Sequence, residues 1–336
     1  MRKLLELVLL PLAQAVFKKY RPLTIAVTGT VGKTSAKNAI AAALGKGRNV
    51  RAAEKNNNTE IGAAVTIIGG RSPGRSVAGW LAVLLKALKL LIVHNPHYPS
   101  VLVLEYAAER PGDVSRLCQL FPPQIGVLTA IGATHARTLG GIEGVVEEKS
   151  NLLRALPKDG WLIANADDPR VMAVLKITAA KVVTYGLAEN AHIRAFEPHP
   201  SIRRDSERGL FVDGTAFKIE LAGKTIPIFL PGVLGTPPVY AALAASAVLF
   251  ALDENQLALV DGLKNVKQEK GRLRVIPGIK FSTIIDDTYN ASTVSMLAAL
   301  AALQSVPIDE GERRLAVLGD MREMGALAEG EHQKVG

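Results

Sequence analysis

At 336 residues the chain is long enough for two domains and part of a third, and 48% apolar residues can bury a large core. A single cysteine, Cys118, excludes an internal disulfide framework and fits a reducing compartment. The formal charge of +9 suits a polyanionic ligand or an acidic membrane surface, whereas 5% aromatic residues without basic–aromatic interleaving argue against nucleic acid.

The first 22 residues, "MRKLLELVLLPLAQAVFKKYRP", have the outline of a signal peptide, but a convincing small-residue cleavage site is missing. Glu6 and Pro11 interrupt the apolar run, leaving it too short to span a bilayer. An amphipathic helix packed on the next domain is expected, with membrane-surface docking as the alternative. "LTIAVTG" is a continuous apolar run, as in a buried parallel strand, and Ser35 to Leu44 is alanine-rich and helical. "VAGWLAVLLKALKLLIV" reads as an amphipathic helix because Lys86 and Lys89 share one face. Strands "SVLVLEY", "QIGVLTAIG", "GWLIAN" and "AKVVTYG" then alternate with helical segments, among them "GVVEEKSNLLRAL". This βαβ rhythm predicts an α/β fold with a doubly wound, mostly parallel sheet of P-loop type. From His192 to Ile228 short, polar strands predict a small antiparallel meander. Helix "VYAALAASAVLFAL" comes next, and near Gly271 a new unit starts with strand "STIIDD", helix "TVSMLAALAAL" and strand "RRLAVLGDM". The expected organisation is an N-terminal amphipathic helix (1–22), a central nucleotide-binding domain (23–269) and part of a Rossmann-like C-terminal domain (270–336), truncated because so few elements cannot cover a parallel sheet.

The stretch "TIAVTGTVGKTSAKNAI" reads as strand, glycine turn and helix, the arrangement that holds nucleotide phosphates. The first glycine of the usual P-loop spacing is replaced by Val27, and the glycines stand at Gly29 and Gly32. There the loop amides of Gly29, Thr30, Gly32 and Ser35 can approach phosphate oxygens, Lys33 can neutralise the β- and γ-phosphates, and the Thr34 hydroxyl can face Mg²⁺. Glu105 ends a strand at the crevice of the sheet, where a carboxylate could share that ion. The competing readings are an ordinary glycine turn and a solvated glutamate.

The "TGTVGKTS" variant resembles the Mur ligases, with folylpolyglutamate synthases as relatives. The resemblance continues through "NNNTEIG", "VLEYAAERPGDV", "GVLTAIGATHARTLGGIEGVVEEKSNLL", "DDTYNAS" and "VLGDMREMGALAEGEHQKVG", of which the last two are similar to the D-alanyl-D-alanine-adding branch. It implies an enzyme that uses ATP to activate a carboxylate as an acyl phosphate, which an amine attacks to give an amide, ADP and phosphate. It further implies two Mg²⁺ ions, held by Thr34, Glu105, His135 and Lys149, with Lys149 carbamylated. His135 and Lys149 join Lys33 as catalytic candidates. Asn290, beside Tyr289, would contact adenine; Arg272 would reach the phosphates; Asn56 and Asn58 would position the acceptor. Asp320 and His332 are placed at the nucleotide-facing edge, while Asp286 and Asp287 are read as structural strand-end residues. For Lys149 the ordinary reading is an exposed charged helix face shared with Glu147 and Glu148.

Three departures qualify the resemblance. The usual D-alanyl-D-alanine-adding ligase has a separate UDP-holding domain before the loop, where about two dozen residues stand in this sequence; Thr59 stands where a second asparagine is usual; and "LPGVLGTPPVYAALAA" lacks the histidine and asparagine often found there. The implied function is peptidoglycan-precursor synthesis, joining D-Ala-D-Ala to a muramoyl tripeptide. Two alternatives stand beside it: a lipid-linked or other acceptor, and a non-catalytic nucleotide-binding subunit. The expected setting is a cytoplasmic monomer, peripheral to the inner membrane face, with no nucleic-acid partner.

Overall fold

The computed structural model describes residues 2–336 apart from 55, 56, 135, 206–208, 265, 267, 268, 323 and 325–327. Its frame is a nine-stranded sheet with strand order β2-β3-β1-β4-β5-β6-β7-β8-β9. The strands are β1 (Leu23–Thr28), β2 (Val50–Ala52), β3 (Val101–Glu105), β4 (Ile125–Leu128), β5 (Trp161–Asn165), β6 (Lys181–Gly186), β7 (Ile193–Asp205), β8 (Gly209–Leu221) and β9 (Lys224–Pro231). Pairing is parallel from β2 to β7 and antiparallel from β7 to β9.

The apolar runs of the parallel strands are buried on both faces because side chains alternate between two cores. Ala26, Leu102, Leu104 and Leu128 face a layer made by α1 (Arg2–Tyr20), α3 (Glu60–Ile68), α4 (Val77–Ile92), α5 (Asp113–Leu120) and α7 (Ile142–Ala155), with the short helices α6 (Ala136–Leu139) and α8 (Pro169–Val174) at its margin. Ile25, Val27, Val101, Val103 and Val127 face the opposite layer, made by α2 (Lys33–Leu44), α9 (Thr236–Ala251) and α10 (Leu257–Leu263). α9 is buried nearly all round, which its alanines permit by letting neighbours approach closely.

The N-terminal segment packs as a helix on the rest of the fold. Leu9, Ala13, Val16 and Phe17 are buried, and the Phe17 ring meets Phe121 edge-on with centroids 5.7 Å apart. Pro11 does not end the helix: it is exposed within a helix of 19 residues. Among the described residues no helix is long and apolar enough to cross a membrane.

Two readings of the strands are corrected. The expected antiparallel meander is present, but its strands are not short: β7 and β8 are 13 residues each and continue the main sheet. Polar Lys218, Glu220, Lys224 and Thr225 are exposed on these strands, while Phe217, Ile219, Ile228 and Leu230 are buried. In the C-terminal unit, β10 (Arg274–Pro277) pairs antiparallel with β11 (Thr283–Asp286), and α11 (Thr293–Ser305) and α12 (Ala328–Gln333) come after them. The segment 313–321, expected as a strand, has no ladder partner and forms none, and Leu315, Val317 and Leu318 are exposed. A strand exists only through its neighbours, and β10 and β11 have paired with each other.

Candidate active site

β1 lies between β3 and β4, and the chain moves outward from it in both directions. That reversal makes a crevice at the carboxyl ends of the strands, where ligands of open α/β sheets bind. The glycine loop fills this position, between β1 and α2. At Gly29 φ is +143° and a Cβ would stand 2.1 Å from the Thr129 hydroxyl, so no side chain fits. Gly32 caps α2 in a left-handed conformation, φ +81°.

The segment after β4 braces the loop. Thr30 N–H donates to the Ala130 carbonyl at 2.8 Å, Gly132 N–H to the Thr30 hydroxyl at 2.9 Å, and Thr129 Oγ1 to the Val31 carbonyl at 2.6 Å. Lys33 folds back over the loop, its Nζ donating to the carbonyls of Gly29 at 2.8 Å and Thr30 at 2.9 Å. Burial, and secondarily Arg272, lowers the Lys33 pKa, while Glu105 opposes the shift.

Thr34 Oγ1 donates to Glu105 Oε2 at 3.0 Å, and both side chains are buried. Glu105 is therefore no solvated strand-end residue. Lys37, one turn beyond Lys33, is also buried; its Nζ lies 4.0 Å from Glu105 Oε2 and donates to the Ala53 carbonyl at 2.7 Å. The residue went unremarked in the sequence, although a second lysine four places on from Lys33 shares its helix face.

Lys149 and Glu148 on α7 are buried, which overturns the exposed-face reading; Glu147 alone is exposed. Glu148 accepts the amides of Gly112 and Val114, each at 2.7 Å, and so holds the start of α5. Burial pushes the Lys149 ammonium down to about 7, helped by the nearby Lys33 charge and opposed by Glu148, Asp113 and Glu105. Lys149 is not among the residues that line the cleft over the glycine loop.

A cleft of about 940 Å³ opens over the loop. Thr30, Gly32, Lys33, Thr34, Ser35, Asn58 and Glu105 line one side, and Arg272, Tyr289 and Asn290 of the C-terminal unit line the other. The Arg272 guanidinium stacks on Tyr289, 4.2 Å from the ring centroid. Two predicted site residues, Asn56 and His135, lie outside the described residues. Asp320 and His332 do not line the cleft. His332 is used within its own unit, accepting from the Met321 amide at 3.1 Å and pairing with the Ala328 carbonyl at 2.7 Å. Asp286 is structural, accepting the Gly271 amide at 3.0 Å. Asp287 does face the cleft, and burial raises its carboxyl to about 6.

Other residues line the cleft besides those predicted. Asp168 accepts the Ile131 amide at 2.8 Å while capping α8, a role that "DDP" before a helix should have suggested. Asp167 accepts from the Tyr240 hydroxyl at 2.7 Å, and Tyr240 belongs to the stretch that departs from the family pattern. Thr59, another departure, caps α3 by accepting the Gly62 amide.

Residues 27–249 match the Mur ligase middle domain. The chain belongs to the Mur ligase family. A UDP-N-acetylmuramoyl-tripeptide--D-alanyl-D-alanine ligase of Synechocystis sp. is 32% identical over 313 residues, covering 93% of this chain and 58% of that protein. MurF ligase from Thermotoga maritima in complex with ADP superposes with a TM-score of 0.79 at 24% identity, over 97% of this chain and 66% of that one. MurF from Acinetobacter baumannii gives 0.78 at 22% identity, over 98% and 64%. The Mur ligase chain thus spans somewhat more than half the length of the curated relatives it matches.

Proposed function

We propose that the chain carries the ATP site of a carboxylate–amine ligase that forms ADP, with the nucleotide held between the central unit and the C-terminal unit. The observation that carries this reading is the cleft itself: a braced phosphate loop with Lys33, Thr34 and Glu105 on one wall, and Arg272, Tyr289 and Asn290 on the other. The loop amides and the N-terminus of α2 would hold the phosphates, Lys33 and Arg272 would spread the charge that develops on transfer, and the Tyr289 side would border the base.

The donor set suits Mg²⁺, which prefers one or two carboxylates beside phosphate oxygens and water. Thr34 and Glu105 would hold it, and the ion would supply charge neutralisation at the transferred phosphoryl group. Lys149 would serve as a carbamate: with its pKa near 7 a large fraction is neutral amine at neutral pH, the form that adds carbon dioxide.

In the proposed reaction a substrate carboxylate oxygen attacks the γ-phosphorus and ADP leaves. An amine nitrogen then attacks the acyl carbon, phosphate leaves, and the amine proton is lost. The curated relatives' name supports a muramoyl tripeptide as acceptor and D-Ala-D-Ala as amine. The test combines ATP–Mg²⁺ calorimetry with phosphate release in the presence of D-Ala-D-Ala and UDP-linked or lipid-linked muramoyl tripeptide. Turnover needing both substrates is the expected result. ATP binding without turnover on either acceptor favours a non-catalytic subunit, and no ATP binding overturns the reading.

A further inference from the structure

We propose that the outer face of α4 is a docking surface for an anionic lipid bilayer, with the helix lying in the interface and not crossing it. α4 buries Val83, Ala87 and Leu90 against the body of the protein. Its opposite face carries Val77, Leu81, Leu85, Leu88 and Ile92, which are 43 to 81% exposed. Steps of three and four residues align these side chains in one stripe along the whole helix, roughly 24 Å at 1.5 Å per residue. A solvated helix face is ordinarily polar, so a continuous apolar stripe marks an interaction surface. α1, packed beside α4, also exposes Leu7 and Val8.

Charge selects the occupant. From Ile61 to Leu104 there is no Asp or Glu, while Arg71, Arg75, Lys86 and Lys89 are all exposed. Residues 1–104 hold fifteen Lys and Arg against three Asp and Glu, whereas residues 105–336 hold twenty-five against twenty-eight. The positive charge of the chain is therefore concentrated in the part that carries the stripe. The acidic exceptions are Glu6, Glu54 and Glu60; Glu54 pairs with Arg71 at 3.8 Å and Glu60 with Arg116 at 2.8 Å. An apolar stripe with cationic flanks matches the boundary between acyl chains and anionic headgroups. A second copy of the chain would bring like charges together. No α4 residue lines the nucleotide cleft, so docking would leave it open.

The test is co-sedimentation of the full chain with vesicles of phosphatidylcholine alone and of phosphatidylcholine mixed with phosphatidylglycerol. Binding is expected only with the anionic vesicles and should weaken as salt rises. The pair Leu85→Asn and Leu88→Asn should lower the apparent affinity about tenfold or more, through lost apolar burial. The separate pair Arg75→Gln and Lys89→Gln should lower it by removing charge, with thermal melts of both variants unchanged. The proposal is overturned by absence of anionic-vesicle binding or by binding indifferent to the leucine pair. It is equally overturned if the wild-type chain is a dimer without lipid that the leucine pair splits.

Discussion

Individual charges in the cleft are set by burial as much as by their partners. Lys33 is the phosphate loop's own lysine, and a point charge on the transferring group acts mainly in the transition state. Lys33→Ala should lower turnover about a hundredfold or more while leaving the melting temperature nearly unchanged, checked by steady-state phosphate release and thermal unfolding. Glu105→Gln should raise the Mg²⁺ concentration for half-maximal activity about tenfold or more, since a hard cation loses its anionic protein ligand. An unchanged half-saturation would reduce Glu105 to a partner of Thr34. For Lys149 the sign is fixed by the shift. The unfolded lysine keeps its ordinary pKa of 10.5, the folded one about 7, so between these values the unfolded chain binds more protons and stability rises with pH. Lys149→Met removes that burden. In buffer freed of carbon dioxide, its stability relative to wild type should be highest below pH 7 and decline toward pH 10, as read from melts across the range. Added acetate or formate should partly restore the activity of Lys149→Ala if the working group is a carbamate, because a small anion can fill the place of an anion but not of an ammonium.

At the scale of elements, each helix is fixed by what it covers. α1 is held by packing: Phe17 is buried against Phe121, and the Lys19 ammonium and Tyr20 hydroxyl bond to α4 carbonyls. Phe17→Ala should therefore destabilise the protein by about 3 kcal/mol through cavity formation, measured by urea unfolding. A change within about half a kilocalorie would mean that α1 rests on the body without belonging to its core. α7 shows the reverse of what its composition suggests. "EEKS" looks like a solvated run, yet Glu148 caps α5 and Lys149 is buried. Packing of the helix, and not its composition, decides that two of these three adjacent charges are buried and one is exposed.

For the whole molecule, the cleft has two walls from distant parts of the chain, residues 30–105 and 272–290. Backbone contacts couple them: Leu234 N–H donates to the Leu273 carbonyl and Val275 N–H to the Gly232 carbonyl, both at 2.9 Å. Arg272→Ala should weaken ATP binding by about tenfold in calorimetry without a change in the melt, because the guanidinium is stacked on Tyr289 and not built into a core. Equal affinity in the variant would confine the nucleotide to the central wall.

Local sequence was enough to specify the strand–loop–helix of the phosphate site, the parallel core and the helical N-terminus, because these rest on short-range patterns: apolar period, glycine placement and caps. Tertiary structure settled the features that depend on non-local pairing and burial. The length of β7 and β8 depends on joining the main sheet, and 313–321 lacks a strand because no neighbour pairs with it. The pairings of Lys37 with Glu105, of Asp168 with the Ile131 amide and of Asp167 with the Tyr240 hydroxyl join residues distant in sequence, so the fold alone creates them, although the helix spacing of Lys37 and the cap position of Asp168 are local features. Lys149 joins the two levels: the family resemblance implied a site role for it, but only its burial, with the Lys33 charge nearby, lowers its pKa to about 7, where neutral amine exists at neutral pH.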